Sequence, residues 1–323
     1  MISPVLGIHQ VAASFLERGG DSSQVTALLS RLSDQCTRRL VESEYACLKA
    51  DFCWMVLGSE GRSERTFLTD QDNALIFSDD SSASQFLSIA QRINEKLDQL
   101  GFPLCKGGVM AGNPTWSLSL SDWKETCAEW VHRGDAKVLL QATIFFDFRA
   151  LHGDFSLVAD LRTWLRTYLK QNWLFLRELT YHALENRPPI GGFLHDFVLD
   201  GSGEQVHTLD LKVHGVALFV DAARVFALAA GISETNTVRR LRTVAALWHQ
   251  DEAATERWVR AFDRLQGFRL WNQKSYLSKG FGPKVDPNRI RPADLSEFDK
   301  KILRECFKQA KRLQESMERN FQF

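Results

Sequence analysis

The sequence predicts an α+β fold: a small mixed sheet flanked by helices, followed by an all-α helical bundle. Three observations carry that expectation. Two apolar runs of strand length, Phe52 to Leu57 and Asn73 to Phe77, stand either side of a short polar segment. From Phe155 onward strand signals fade and apolar residues recur at helical spacing. Pro188 to Gly192 and the Gly/Pro-rich stretch Ser278 to Pro292 break that second half into separate helices. The expected organisation is a helical segment over 1–50, a mixed domain over 51–153 and a bundle over 154–323.

Each element has its own signal. Asp21, Ser22 and Ser23 can cap a helix in which Val25, Leu28, Leu29, Leu32, Cys36, Leu40, Val41 and Leu48 recur at helical spacing. Between Ser84 and Leu100, Phe86, Leu87, Ile89, Ala90, Ile93 and Leu97 share a face, and Gly101 follows as a stop. The glycine-rich stretch Cys105 to Gly112 is expected to be a strand. Asp122 and Glu125 suit a helix start, Ala136 to Ala142 continues helical, and Thr143 to Phe148 suits a strand or a buried helix end. Leu157 to Leu184, Leu209 to Ala230, Val238 to Trp248, Ala254 to Trp271 and Leu295 to Phe321 supply the bundle.

Composition narrows the function classes. Lysine plus arginine number 40 and aspartate plus glutamate number 40, so the net charge gives no overall footprint for long nucleic acid, a local basic groove aside. Hydrophobic residues at 44% and charged residues at 25% are ordinary for a globular protein. The six cysteines form no C-x-x-C pair, so no zinc ribbon or redox motif is expected. Cys105 stands apart because Lys106 beside it can lower a thiol pKa, though packing is its expected role. The N-terminus does not resemble a signal peptide, and no run of 18 apolar residues is present, so the cytoplasm is expected and a membrane is not.

The chemistry concentrates between the two apolar runs. Gly58-Ser59 is followed, after ten residues, by Asp70-Gln71-Asp72. Residues i and i+2 of an extended strand point the same way, so the two carboxylates aim together. Like charges so placed repel unless a hard cation lies between them. Magnesium suits that position, since it binds through one or two carboxylates plus substrate phosphates. Gly58 and Gly61 let backbone approach a phosphate, the Ser59 hydroxyl can donate to it, and Arg62 and Arg65 can offset its charge. Lys106 is a further candidate phosphate contact. A P-loop is absent, and neither Gly280-Phe281-Gly282-Pro283 nor Gly201-Ser202-Gly203 supplies a catalytic motif.

Gly58-Ser59-x(10)-Asp70-x-Asp72 resembles the signature of the polymerase-β-like nucleotidyltransferase superfamily. The longer string GSEGRSERTFLTDQDNALIF is similar to the nucleotidyltransferases related to the N-terminal domain of protein-PII uridylyltransferase. CKGGVMAGNPTW, IFFDFRALHGD, LDLKVHGVALFVDAARVFAL and TNTVRRL extend the likeness over essentially the whole chain from about Val11 onward. The resemblance implies a magnesium-dependent transfer of a nucleoside monophosphate from a nucleoside triphosphate to a hydroxyl of a protein or small molecule. It also implies a helical domain that helps bind substrate. Longer members carry CBS or cyclic-nucleotide-binding domains, and the resemblance leaves open whether a separate sensory partner takes their place. Lys212, Arg224, Asn236, Thr237 and Arg240 fall where that pattern is strongest, as cleft residues or as ordinary caps and ion pairs.

One departure stands out. Superfamily members often carry a third carboxylate on a neighbouring strand. Matched by order, that strand is Leu104 to Ala111, which offers Cys105 and Lys106 rather than an aspartate. Asp147 is the next candidate, with a salt bridge to Arg149 as its alternative role. The missing carboxylate keeps open a nucleotide-sensing module without turnover, and the helical domain keeps open a scaffold for partner proteins. His195-Asp196 does not complete a metal set, so no nucleotide-removing activity is expected.

Overall fold

The computed structural model describes residues 4–46, 51–78, 82–191, 197–201, 205–279 and 285–321. Leu48, His195, Asp196, Ser202, Gly203 and the Gly280 to Pro283 stretch lie outside them. The fold is mixed α+β, and the chain divides into two compact units, Met1–Gly20 with Gln24–Phe175 and Asp21–Ser23 with Leu176–Phe323.

The first unit opens with α1 (Pro4–Glu17) and α2 (Ser22–Tyr45), then β1 (Phe52–Val56). A single helical turn, α3 (Gly58–Gly61), precedes β2 (Asn73–Phe77) and α4 (Ala83–Gln99). β3 (Ser117–Ser119), α5 (Leu120–Arg133), α6 (Ala136–Phe145), β4 (Arg149–Gly153) and α7 (Phe155–Gln171) complete it. Gly153, taken above as the domain limit, ends β4. The unit division falls inside α8 (Trp173–Glu185), after Phe175.

The strands lie in the order β3-β2-β1-β4. β1 runs antiparallel to β2 and β4, and β2 runs parallel to β3. Phe52 pairs with Phe77, Trp54 with Leu75 and Val56 with Asn73, so these six share one face. Tyr45 at the end of α2 meets Phe52 at 4.2 Å, and Phe86 of α4 stacks on Phe77 at 4.9 Å. α5 and α7 also contact the sheet. Trp123 of α5 donates its indole N–H to the Leu75 carbonyl at 2.9 Å and stacks on Phe145 at 4.4 Å.

One strand expectation needs correction. Cys105 to Gly112 is a run of turns and irregular backbone, not a strand. Some of its amides close local turns, Gly108 N–H on the Cys105 carbonyl and Met110 N–H on the Gly108 carbonyl, and two go to side chains: Ala111 N–H donates to Asn73 Oδ1 and Gly112 N–H to Asn94 Oδ1, each at 2.8 Å. The parallel partner of β2 is the later, three-residue β3. Of the two readings of Thr143 to Phe148, the buried helix end holds: Thr143 to Phe145 continues α6, and the strand that follows is β4, beginning at Arg149.

The second unit is helical around a small ribbon. β5 (Leu209–Asp210) leads through a π-helical turn, Lys212–Val216, into α9 (Ala217–Ala230). α10 (Thr237–Leu247), α11 (Glu252–Lys279), β6 (Arg289–Ile290) and α12 (Glu297–Phe321) follow. β5 and β6 pair antiparallel, a ribbon that helical periodicity does not reveal. α9 packs on α10 and α12, and α11 packs on the same two helices. Phe219, Phe226, Leu265 and Phe307 are buried there. Among the described residues one helical stretch, Lys212–Ala230, is long and apolar enough to cross a membrane, and 61% of its most apolar window is buried within the protein.

Candidate nucleotide and metal site

The β1–β2 ladder runs one step past Val56–Asn73, because Leu57 N–H donates to the Asp72 carbonyl at 2.9 Å. That step sets Asp72 beside the first residue of α3. Gly58 holds φ at +51°, and a Cβ there would lie 2.6 Å from Asp72 Oδ2. Glycine is required twice over, for its left-handed backbone and for the room it leaves a carboxylate. At the other end of the turn, a Cβ on Gly61 would lie 2.0 Å from the Asp147 carbonyl oxygen. The Gly-Ser-Glu-Gly turn is therefore wedged between two aspartates, one on each side.

Alternation governs the approach to β2. Gln71 and Asn73 are buried and turn toward α4. Gln71 Nε2 donates to the carbonyls of Asn94 and Phe102 at 3.0 and 2.8 Å. Asn94 Nδ2 donates to Gln71 Oε1 at 2.8 Å and to Asn73 Oδ1 at 3.0 Å. Asp70 and Asp72 occupy the alternate positions and are partly exposed. Both act on Cys105, whose thiol is pushed up to about 11, first by burial, then by the Asp72 charge, with a smaller push from Asp70. That reverses the effect expected of Lys106. Lys106 itself is exposed on the turn next in sequence.

The arginines are held from behind. Arg62 donates from Nε to Glu64 Oε2 at 2.8 Å and from Nη1 to Asp147 Oδ2 at 2.6 Å. Asp147 is fully buried, so the expected Asp147–Arg149 bridge gives way to Asp147–Arg62. Arg149 instead reaches Asp34 of α2 at 2.9 Å and the Glu60 carbonyl at 3.2 Å. Arg65 is 5% exposed and turned inward. Its Nη1 meets Glu60 Oε2 at 2.7 Å, and its Nη2 donates to the Thr69 carbonyl at 2.7 Å. Burial raises the Glu60 carboxyl, and the Arg65 charge opposes that rise. Glu60 Oε1 and Trp54 Nε1 have no protein partner and line one small cavity with Thr37, Gln71 and Phe102, a setting suited to an ordered water.

Sequence reasoning missed α2's part in this. Ser30 Oγ accepts from Arg65 N–H at 3.1 Å, and Asp34 holds Arg149. Ser30, Ser33 and Thr37 are buried. The signal was present as a polar stripe at helical spacing beside the apolar one.

Among the described residues no group of three or more His, Cys, Asp or Glu is placed to hold a metal ion. Magnesium in a phosphate-bearing site does not need one, because one or two carboxylates and the phosphates suffice. The notch at Gly58, filled by the Asp72 carboxylate with Asp70 at the alternate position, fits that requirement.

In the second unit, Asn236 caps α10 by accepting from Arg239 N–H at 3.2 Å. Arg224 pairs with Asp221 at 2.6 Å, and Arg240, 1% exposed, donates to the Glu234 carbonyl at 2.7 Å. Thr237 is buried and Lys212 is exposed.

Two family models match the chain. The one described as "Putative nucleotidyltransferase DUF294" matches residues 7–137, which include the whole Gly58 to Asn73 segment. The one described as "Putative nucleotidyltransferase substrate binding domain" matches residues 174–321. No curated protein matches the chain.

Proposed function

The chain belongs to the nucleotidyltransferase family that these two domains define, and on that premise we propose that it moves a nucleoside monophosphate from a nucleoside triphosphate onto a hydroxyl. The acceptor is a protein, as in the protein-PII uridylyltransferases that the sequence resembles, or a small molecule. The single observation behind this reading is the Asp72 carboxylate lying in the notch left by Gly58.

In this reading Gly58 and Ser59 receive the triphosphate. The first amides of a helical turn have no acceptor within it, and a glycine lets phosphate oxygens come close. Lys106, exposed next to Cys105, adds a positive charge, and Arg62 stiffens the turn from the Asp147 side. Asp70 and Asp72 would hold magnesium, which supplies charge neutralisation on the phosphates and orients them for in-line displacement. The acceptor oxygen attacks the α-phosphorus. The bond to the β-phosphate breaks, and pyrophosphate departs with its electron pair. The hydroxyl proton leaves to water, because Asp147 is buried and committed to Arg62. The expected compartment is the cytoplasm.

The test is direct. Each common ribonucleoside triphosphate is titrated with magnesium by calorimetry into the wild type and into Asp70→Asn/Asp72→Asn. Metal-dependent binding is expected to vanish in the double variant, and undiminished affinity there removes the reading. The burial of Asp147 favours a second reading, in which nucleotide is bound without turnover. Label from a radioactive triphosphate appearing on any acceptor in a lysate would exclude it.

A further inference from the structure

Asp70 and Asp72 are placed by different means. Asp72 belongs to the strand ladder through its carbonyl, which accepts from Leu57 N–H. Asp70 lies two residues further out, where no β1 residue pairs with it. Two contacts hold that backbone: Gln71 N–H donates to the Pro103 carbonyl at 2.8 Å, and Arg65 grips the Thr69 and Asp70 carbonyls. Its Nη2 donates to the Thr69 carbonyl at 2.7 Å, and its Nη1 reaches the Asp70 carbonyl at 3.4 Å. The same Nη1 binds Glu60 Oε2 at 2.7 Å, and the guanidinium lies 4.9 Å from the Phe102 ring centre. Ser30 Oγ fixes the Arg65 amide. One planar fork thus spans a buried carboxylate and two successive carbonyls, which a lysine cannot do.

We propose that Arg65 is a positioning residue: buried behind the site and anchored on Glu60, it sets Asp70 in place for the metal by gripping the Thr69 and Asp70 carbonyls. This rests on the reading of Asp70 and Asp72 as the metal pair, and it gives Arg65 no direct contact with phosphate. Groups that orient metal ligands from behind usually matter about 10- to 100-fold in affinity.

The experiment uses the full chain and Mn²⁺ as the probe metal, with whichever of ATP, GTP, CTP and UTP binds the wild type most tightly. Nucleotide affinity is measured with and without Mn²⁺ for the wild type, Arg65→Lys, Asp70→Asn and the double variant. Arg65→Lys is expected to weaken binding about 10- to 100-fold with Mn²⁺ and to leave metal-free binding unchanged. In the Asp70→Asn background it should add nothing, because the two changes act through one carboxylate. Equal losses with and without metal would mean a direct phosphate contact and overturn the proposal. So would undiminished Mn²⁺-dependent affinity, or a loss that persists in full beside Asp70→Asn. If Arg65→Lys does not fold, Glu60→Gln carries the same test, since it removes the anchor's charge and keeps its shape. Failure of every triphosphate to bind the wild type would sink the site reading itself, and the positioning role with it.

Discussion

Asp70 and Asp72 alternate along one stretch of backbone with Gln71 and Asn73, and the two pairs meet opposite environments. The amide pair is buried and bonded to Asn94, Phe102 and Ala111. The acid pair is partly exposed and of like charge. The difference teaches where precision comes from. Two carboxylates that repel cannot fix each other, so their placement is borrowed from the neighbours that face inward. Stability should then reside on the amide side and ligand binding on the acid side, and substitutions can separate them.

The largest expected effect tests the amide side. Asn94→Leu removes the donors to Gln71 Oε1 and Asn73 Oδ1 and the acceptor for Gly112 N–H. Asn73 Oδ1 keeps its Ala111 N–H donor, while Gln71 Oε1 and Gly112 N–H lose their closest partners at about 1–3 kcal/mol each, so urea unfolding should show a loss of about 2 kcal/mol or more. A loss below about 1 kcal/mol would break the comparison.

The two glycines of α3 sharpen it next. Gly61→Ala drives a methyl against backbone at Asp147 and should cost about 1–3 kcal/mol of stability or more. Gly58→Ala meets a side-chain carboxylate that can turn aside, at a backbone cost of about 1 kcal/mol. Its main effect should be loss of Mn²⁺-dependent nucleotide binding. If Gly61→Ala proves the milder change in denaturation, the two-sided picture of the turn is wrong.

His9 extends the rule of neutral, satisfied polar groups to α1. It packs edge-on to Phe67 at 5.6 Å, and burial, then the Arg65 charge, lower its pKa to about 4. The unfolded chain has the ordinary value of 6.5, so between these limits it binds more protons than the native state. Stability from this group is therefore full above pH 6.5 and lost as pH falls toward 4. With a discount for partial exposure, the loss is about 1–2 kcal/mol. His9→Gln should flatten that portion of the stability–pH curve, and an unaltered slope would remove His9 as its source.

The smallest effect belongs to the acid side. Asp70→Asn/Asp72→Asn should change unfolding stability by about 0.5 kcal/mol or less while abolishing metal-dependent binding. A large destabilisation would show that the acid pair helps hold the fold after all.

The parts legible in the sequence were those with local signals. β1 and β2 announced themselves as apolar runs, and α2, α4 and α10 by spacing and caps. β4 escaped because Arg149 and His152 interrupt its apolar pattern at the sheet's edge. Cys105 to Gly112 misled because glycines suit a strand next to a ligand as well as they suit turns. Its outcome was decided by Asn73 and Asn94, far away in sequence. The motif pointed to Asp70, Asp72 and Gly58 together. It could not reveal that Arg62 and Arg65, three residues apart, turn their charges to Asp147 and Glu60, because that choice depends on which acids the fold brings behind the turn.

Gly61 and Arg62 both rest on Asp147, at the corner where α6 gives way to β4. The Gly58–Gly61 bend consequently takes its height from that corner, as a shelf takes it from its bracket. Pressure on that corner would tilt the bend relative to Asp72. On the proposed reading, the spacing between Gly58 and Asp72 is therefore set from behind the turn, at the α6–β4 corner.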